Sequence, residues 1–199
     1  MTDGFFKKIA NEDIQPKDFS FDKNNLSKAK NIIKMYPKNY KESSIMPLLS
    51  LAQDQSNGWL PKKAIEYVSK FLDVPEIRVL EMATFYSMYN LSPVGKCHIE
   101  VCTTSPCMLR GSDEILCGFE KTLGIKIGQI SDDKNFSLNK VECLGACVNG
   151  PVIKINENYY EDLSVDLAND LINNIKNNKK VKIGPQSSRK GSEPRKIIK

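Results

Sequence analysis

Apolar residues recur at helical spacing through about the first ninety residues, and this pattern predicts a series of short helices. Prolines and glycines separate them: Pro37 ends the first, and Gly58 breaks the second. The predicted helices begin near Asn25, Ser43, Pro61 and the residue after Pro75. Short helices joined by tight turns predict a helical bundle.

The pattern changes after Pro93 and Gly95, where residues 97–102 alternate as in a strand. Beyond them the pattern predicts a helix, a strand, a two-stranded hairpin and a last amphipathic helix, at 112–123, 136–143, 152–160 and 165–175. This order fits an α/β thioredoxin-like layout. The predicted fold class is α+β overall, with a helical domain at 1–93, a thioredoxin-like domain at 94–178 and a basic extended tail at 179–199.

Charge is distributed unevenly along the 199 residues, which carry a net charge of +5. Residues 176–199 contain nine Lys or Arg and one acid, Glu193, so the rest of the chain is mildly acidic. We expect the tail to be extended and to become ordered only against an acidic surface of a partner protein. A solvated end remains an alternative. Because the tail has no aromatic residue for base stacking, we expect no nucleic-acid partner.

The apolar runs are too short for a membrane-spanning helix, so no direct membrane insertion is expected. The first residues mix Lys7 and Lys8 with several acids, unlike a signal or transit peptide. We therefore expect a cytoplasmic protein, or one of the mitochondrial matrix if the chain is a mature mitochondrial form.

Four of the six cysteines form two close pairs. Cys102 and Cys107 have C-x4-C spacing, and Cys143 and Cys147 have C-x3-C spacing. Both pairs follow predicted strands, and loops at neighbouring strand ends lie side by side. The pairs can therefore form one four-sulfur site, which suits an iron–sulfur cluster or zinc.

Spacing alone leaves zinc open, because its ligand pairs tolerate gaps of up to about four residues. A Rieske centre needs two histidines, and His98 is the only one in the chain. A thioredoxin-type active site needs C-x-x-C, which is absent from the sequence. Disulfides are disfavoured in a reducing compartment. No glycine-rich nucleotide-binding motif occurs in the chain.

The remaining cysteines, Cys97 and Cys117, are predicted to be buried as small apolar side chains rather than to bind metal. His98 is predicted to lie at a strand edge and not to be a ligand.

Residues 101–112, with the sequence VCTTSPCMLRGS, and residues 141–151, with the sequence VECLGACVNGP, resemble the thioredoxin-like [2Fe–2S] subunit of respiratory complex I. The likeness extends to residues 51–61, 82–87 and 158–163. It implies that Cys102, Cys107, Cys143 and Cys147 hold one [2Fe–2S] cluster, which would be both the cofactor and the metal site.

The resemblance also implies a function, which is electron transfer within the proton-pumping NADH:quinone oxidoreductase. FMN and NADH would bind only to the partner flavoprotein subunit, and this chain would have no catalytic residue of its own. Its partners would be that flavoprotein and other peripheral-arm subunits, on the cytoplasmic side of the inner membrane. Two alternatives stay open: the same module in an NAD-linked hydrogenase or formate dehydrogenase, and a zinc-stapled binding protein.

Overall fold

The computed structural model describes residues 9–190, and the chain divides between Val94 and Gly95 into two compact units. The sequence places this division at 93/94. The first unit is helical, and the second is built on a mixed sheet. This agrees with the predicted fold class.

The helical unit consists of α1 (Lys23–Lys34), α2 (Ile45–Gln55), α3 (Lys62–Leu72) and α4 (Glu76–Phe85), with a 3-10 segment (Lys38–Ser44) before α2. Asp22 caps α1, because its side chain accepts a 2.7 Å hydrogen bond from the backbone N–H of Asn25. The apolar faces of these helices share one core, which includes fully buried Leu48, Val68 and Val79. Burial of these faces stabilises helices too short to persist alone in water.

The second unit is built on six strands, β1 (Cys97–Cys102), β2 (Gln129–Ile130), β3 (Phe136–Val141), β4 (Ile153–Ile155), β5 (Asn158–Glu161) and β6 (Gly184–Pro185). Their order in the sheet is β2-β3-β1-β4-β5-β6. β1 pairs in parallel with β3, and β5 with β6, whereas the other pairs are antiparallel. The helices of this unit are α5 (Ser105–Met108), α6 (Ser112–Leu123) and α7 (Val165–Lys176).

Alternate residues of the central strands build the core of the sheet unit. Ile99 and Val101 of β1 and Leu138 of β3 are completely buried, together with Phe119 of α6 and Ile172 of α7. The β1–α6–β3 connection is the crossover that a parallel strand pair requires. The strand registers of β1 and β3 are thereby fixed by the buried face.

Among the α-helices and strands of the described residues, three short ones were not predicted from the sequence: α5, β2 and β6. Each has two to four residues, too few to show a hydrophobic period. The predicted strand 136–143 is two residues too long, because β3 ends at Val141.

The prediction that His98 lies at a strand edge is wrong. His98 is on the central strand β1 and is buried, with its Nδ1 atom 2.8 Å from the Ser137 hydroxyl of β3. Burial lowers the pKa of the His98 imidazole.

The prediction that the tail becomes ordered only in a complex is wrong for its described part. Residue Gly184 pairs with Tyr160, which adds β6 to the sheet next to β5. Beyond β6, Arg189 forms an ion pair with Asp162, whose side chain is fully buried. The arginine charge is therefore satisfied within the chain itself. The end of the basic tail, 191–199, lies outside the described residues.

Within residues 9–190, no helix combines the length and the apolar character needed to cross a membrane.

Replacing Phe119 with alanine is expected to lower the free energy of unfolding by about 3–5 kcal/mol, because a completely buried aromatic ring is lost from the core. Chemical denaturation measures the change. Lys121→Ala, a charge removal in the last turn of the same helix, is the control and should change stability by less than about 0.5 kcal/mol. Equal losses in the two variants would contradict this assignment of the core.

Candidate metal centre

The first cysteine loop begins at the last residue of β1. Cys102 ends the strand, and Cys107 lies in α5 three residues after Thr104, whose carbonyl accepts a 2.9 Å hydrogen bond from the Cys107 N–H. Each of the two cysteines is 1% exposed. The short helix turns the chain back on itself, which brings a second thiol beside the end of the strand.

The second cysteine loop, residues 143–150, follows β3. Cys143 comes two residues after the end of the strand, and Cys147 begins a 3-10 turn (Cys147–Asn149). Their Sγ atoms lie 3.4 Å apart, and both residues are exposed. Gly145 between them has a φ of +81°, a backbone conformation that side chains with a Cβ disfavour. The tight return that brings the two thiols together therefore depends on this glycine.

Strand pairing brings the two cysteine loops to the same edge of the sheet. Because β1 and β3 are parallel, their carboxyl ends coincide, and Cys102 lies opposite Val141 in the register. The Thr103 N–H donates a 3.1 Å hydrogen bond to the Val141 carbonyl, which continues the pairing past the strand end. The structure thus brings all four predicted site residues to this edge.

Hydrogen bonds surround the sulfur atoms of the first pair. The Thr104 hydroxyl lies 3.2 Å from the Cys102 Sγ atom. Burial works to raise the pKa of the Cys102 thiol, but hydrogen bonds from the Thr104 hydroxyl and from the backbone N–H groups of Leu144 and Thr104 lower it overall. The N–H of Leu144 comes from the other cysteine loop, so no local pattern in the sequence indicates it.

Burial raises the pKa of the Cys107 thiol to about 11, and the neighbouring Cys102 thiol adds to this. The backbone N–H of Val152 acts in the opposite direction, through a hydrogen bond to the same sulfur. The pKa of Cys147 is raised in turn by its hydrogen-bonded neighbour Cys143. Such N–H···S bonds stabilise charge on sulfur ligands and tune the reduction potential of a bound cluster.

Gly150 leaves space beside a buried thiol. A Cβ atom at this position would lie 3.4 Å from the Cys107 Sγ atom and 3.5 Å from the Cys147 carbonyl oxygen. Its φ of −61° suits any residue, and these distances are ordinary van der Waals contacts, so neither the backbone nor the packing requires a glycine here.

The donor set fits a binuclear cluster. Four thiols are available in two pairs, and soft sulfur is the donor that iron–sulfur clusters use. Among residues 9–190, no group of three or more His, Cys, Asp or Glu side chains is already placed to hold a metal ion. A [2Fe–2S] cluster needs two ligands at each of two irons, and the arrangement of the thiols in two pairs matches that requirement.

Two arginines hold the second cysteine loop, and no pattern in the sequence indicates either of them. The Nε atom of Arg110 donates a 2.7 Å hydrogen bond to the Gly150 carbonyl. The Nη2 atom of Arg189 donates a 3.1 Å hydrogen bond to the Val148 carbonyl. Both contacts join segments about forty residues apart, so neither can be inferred from spacing.

The two other cysteines lie outside the site. Cys97 is half-buried against the core of the sheet unit, as predicted, and burial raises the pKa of its thiol. Cys117 is exposed on α6, so the prediction that it is buried is wrong.

Comparison with protein families gives a match to the model of the thioredoxin-like [2Fe–2S] ferredoxins over residues 29–176. The chain is 59% identical over 147 residues to an NADH-quinone oxidoreductase subunit of Rickettsia bellii, an alignment that covers 74% of this chain and 88% of the relative. It is also 42% identical over 175 residues to the NADH dehydrogenase [ubiquinone] flavoprotein 2, mitochondrial, of Dictyostelium discoideum, with 88% of this chain and 71% of the relative covered.

Among solved structures, an NAD+-reducing [NiFe]-hydrogenase in its air-oxidised state matches with a TM-score of 0.55 and 20% identity. The match covers 65% of this chain and 23% of the hydrogenase chain. At this identity the likeness concerns the fold alone, and it agrees with the mixed sheet and helices described above.

Serine at any of the four paired cysteine positions is expected to remove most of the bound iron or to alter the spectrum of the cluster, because oxygen is a harder ligand than sulfur. Cys97→Ser and Cys117→Ser are the controls and should keep full loading. Iron and sulfide analysis of the six purified variants measures the effect. Normal loading with serine at Cys102, Cys107, Cys143 or Cys147 would contradict the ligand assignment.

Proposed function

The chain belongs to the thioredoxin-like [2Fe–2S] ferredoxin family, as a subunit of NADH-quinone oxidoreductase, and on this premise we propose how its residues serve electron transfer. The observation that carries the proposal is the gathering of four thiols at the joined ends of β1 and β3. Cys102, Cys107, Cys143 and Cys147 would hold the cluster. The cluster, when bound, supplies a site that accepts and releases one electron at a time.

The protein provides the surroundings that make such a site stable. Cys102 and Cys107 are shielded from water, which protects this side of the site from solvent. Backbone N–H groups of Leu144 and Val152 donate to the sulfur atoms of this buried pair. With four thiolates, a bound cluster would carry a charge of about −2 when oxidised and about −3 when reduced, and these N–H donors would lower the cost of the added electron.

The exposed side of the site is suited to electron exchange with another protein. Cys143 and Cys147 are exposed, and two apolar side chains on the cysteine loops are also exposed, Leu109 at 81% and Val148 at 64%. Large apolar side chains in contact with water favour burial against a partner. We propose that the FMN- and NADH-binding flavoprotein subunit docks on this side, which we name the cysteine-loop face.

Two observations support the proposed partner: the sequence has no dinucleotide-binding motif, and its relatives are named as subunits of NADH-oxidising complexes. Hydride transfer from NADH needs a two-electron acceptor such as a flavin, and the sequence has no glycine-rich loop to cradle a dinucleotide. The relatives are named as components of NADH-quinone oxidoreductase and NADH dehydrogenase. We propose that the chain reaches the membrane only through that complex, on the cytoplasmic or matrix side.

The full chain, reconstituted with iron and sulfide and reduced with dithionite, should give the electron paramagnetic resonance signal of a reduced [2Fe–2S] cluster. A colourless protein that binds zinc and gives no such signal would overturn the proposal.

The pure, flavin-free chain is expected not to oxidise NADH, because a one-electron cluster cannot accept a hydride. Absorbance of NADH, followed with a one-electron dye as acceptor, measures the rate. The flavoprotein subunit provides the positive control. Sustained turnover by the chain alone would contradict the assigned role.

Substitution of aspartate for Leu109 or Val148 is expected to weaken binding of the flavoprotein subunit at least about tenfold, because a charge would be buried in the contact. Cluster content should stay unchanged, since both side chains point into solvent. Ile127→Asp, at another exposed apolar residue between α6 and β2, is the matched control. Calorimetric titration with the purified flavoprotein compares the three, and equal affinity for all of them would exclude the cysteine-loop face.

A further inference from the structure

The C-terminal segment contacts the backbone of the second cysteine loop. Arg189 donates a 3.1 Å hydrogen bond from its Nη2 atom to the carbonyl of Val148, the residue directly after Cys147. The contact joins the far end of the described chain to the loop that carries the exposed thiols.

Arg189 is itself held in one orientation. Its Nε atom donates a 2.5 Å hydrogen bond to the Oδ2 atom of Asp162, and its Nη2 atom donates to the Oδ1 atom. The Ser187 hydroxyl donates to the same Oδ2 atom at 2.8 Å. The side chain of Asp162 is 0% exposed, and that of Arg189 is 9% exposed. A bidentate pair of this kind fixes the plane of the guanidinium group.

Asp162 also contacts the second cysteine loop through its backbone. Its N–H donates a 2.7 Å hydrogen bond to the Asn149 carbonyl, and the Asn149 side chain donates to Glu161. Two successive carbonyls of the loop, those of Val148 and Asn149, are therefore bound by Arg189 and Asp162.

Strand pairing fixes the path of the segment that carries Arg189. Gly184 and Pro185 pair with Tyr160 and Glu161, and the Gln186 N–H donates a 2.9 Å hydrogen bond to the Glu161 carbonyl. The segment therefore lies next to β5 and reaches Asp162 in a defined register. We name residues 184–189 the strap.

We propose that the strap fixes the backbone of the second cysteine loop, and that Arg189 is a positioning residue for Cys147. Arg189 acts through the Val148 carbonyl and the buried Asp162 carboxylate, not by contact with the cluster. The proposal rests on the proposed function, because it takes Cys147 to be a ligand. It assigns a structural role to residues 184–189, which the sequence alone describes only as part of a basic tail.

The test compares Arg189→Gln, Arg189→Lys, Asp162→Asn and the double variant Arg189→Gln with Asp162→Asn, all in the full chain. Lys180→Gln is the matched control, because it removes one positive charge from the exposed stretch before β6. Three measurements are made: the shape of the electron paramagnetic resonance signal, the rate of iron loss to a chelator, and hydrogen exchange of residues 143–150 by mass spectrometry.

Arg189→Gln should lose iron about tenfold faster than the native chain. This is the lower end of the effect expected when a residue that supports metal ligands is removed. Its resonance signal should broaden, and hydrogen exchange of residues 143–150 should quicken. Arg189→Lys keeps the ion pair but cannot replace the planar guanidinium group. It should therefore return the rate of iron loss towards the native value, while the resonance signal stays altered. Lys180→Gln should match the native chain in all three measurements.

The double variant separates the positioning role of Arg189 from the effect of its charge. The native pair and the double variant have the same net charge, so a purely electrostatic role predicts native behaviour for the double variant. If the strap positions the loop, the double variant should keep the fast iron loss and the fast hydrogen exchange. Native behaviour of the double variant, or of Arg189→Gln, would overturn the proposal. Absence of a cluster signal in the native chain would instead overturn the proposed function, and hydrogen exchange would still test the strap.

Discussion

The parallel pairing of β1 with β3 is the constraint on which the site depends. Parallel strands place their carboxyl ends at the same sheet edge, and Cys102 lies opposite Val141 in this pair. The two cysteine loops leave the sheet side by side as a result, although 35 residues lie between Cys107 and Cys143 in the sequence. The buried residues Ile99 and Leu138 fix the register, because a slip of one residue would turn them to the opposite face. Packing of the core therefore decides where the thiols meet.

The two cysteine pairs differ in their surroundings, and the proposed site uses this difference. Each residue of the first pair is 1% exposed, and its sulfur accepts a hydrogen bond from a backbone N–H, that of Leu144 or Val152. The second pair is exposed on a loop with an apolar side chain at Val148. A site shielded on one side and open on the other can hold charge and still exchange electrons with a docked protein. The proposed docking on the cysteine-loop face therefore rests on the same burial pattern as the proposed site.

Much of the fold could be predicted from the sequence, because most of the regular elements are long enough to show a period. Residues 97–102 and 112–123 form the strand and the helix that alternation and helical spacing predict. The four thiols could be predicted as a group because their spacing is short within each pair. The two-residue strand β6 and the contact of Arg189 with Asp162 could not, since no local pattern marks a pairing across 27 residues. Local composition described the tail as basic, and tertiary packing decided where one of its charges is bound.

The distribution of positive charge around the second cysteine loop follows from these contacts. Arg189 and Asp162 neutralise each other in a buried pair, so Arg189 contributes geometry to the loop and little net charge. Arg110 is exposed, binds the Gly150 carbonyl and forms no ion pair with another described residue. It is therefore the arginine that adds a net positive charge next to the thiols. Such a charge would stabilise the added negative charge of a reduced cluster, although solvent would screen it. The two arginines hold nearby carbonyls of one loop and still differ in effect, because only one of them has a buried carboxylate as its partner.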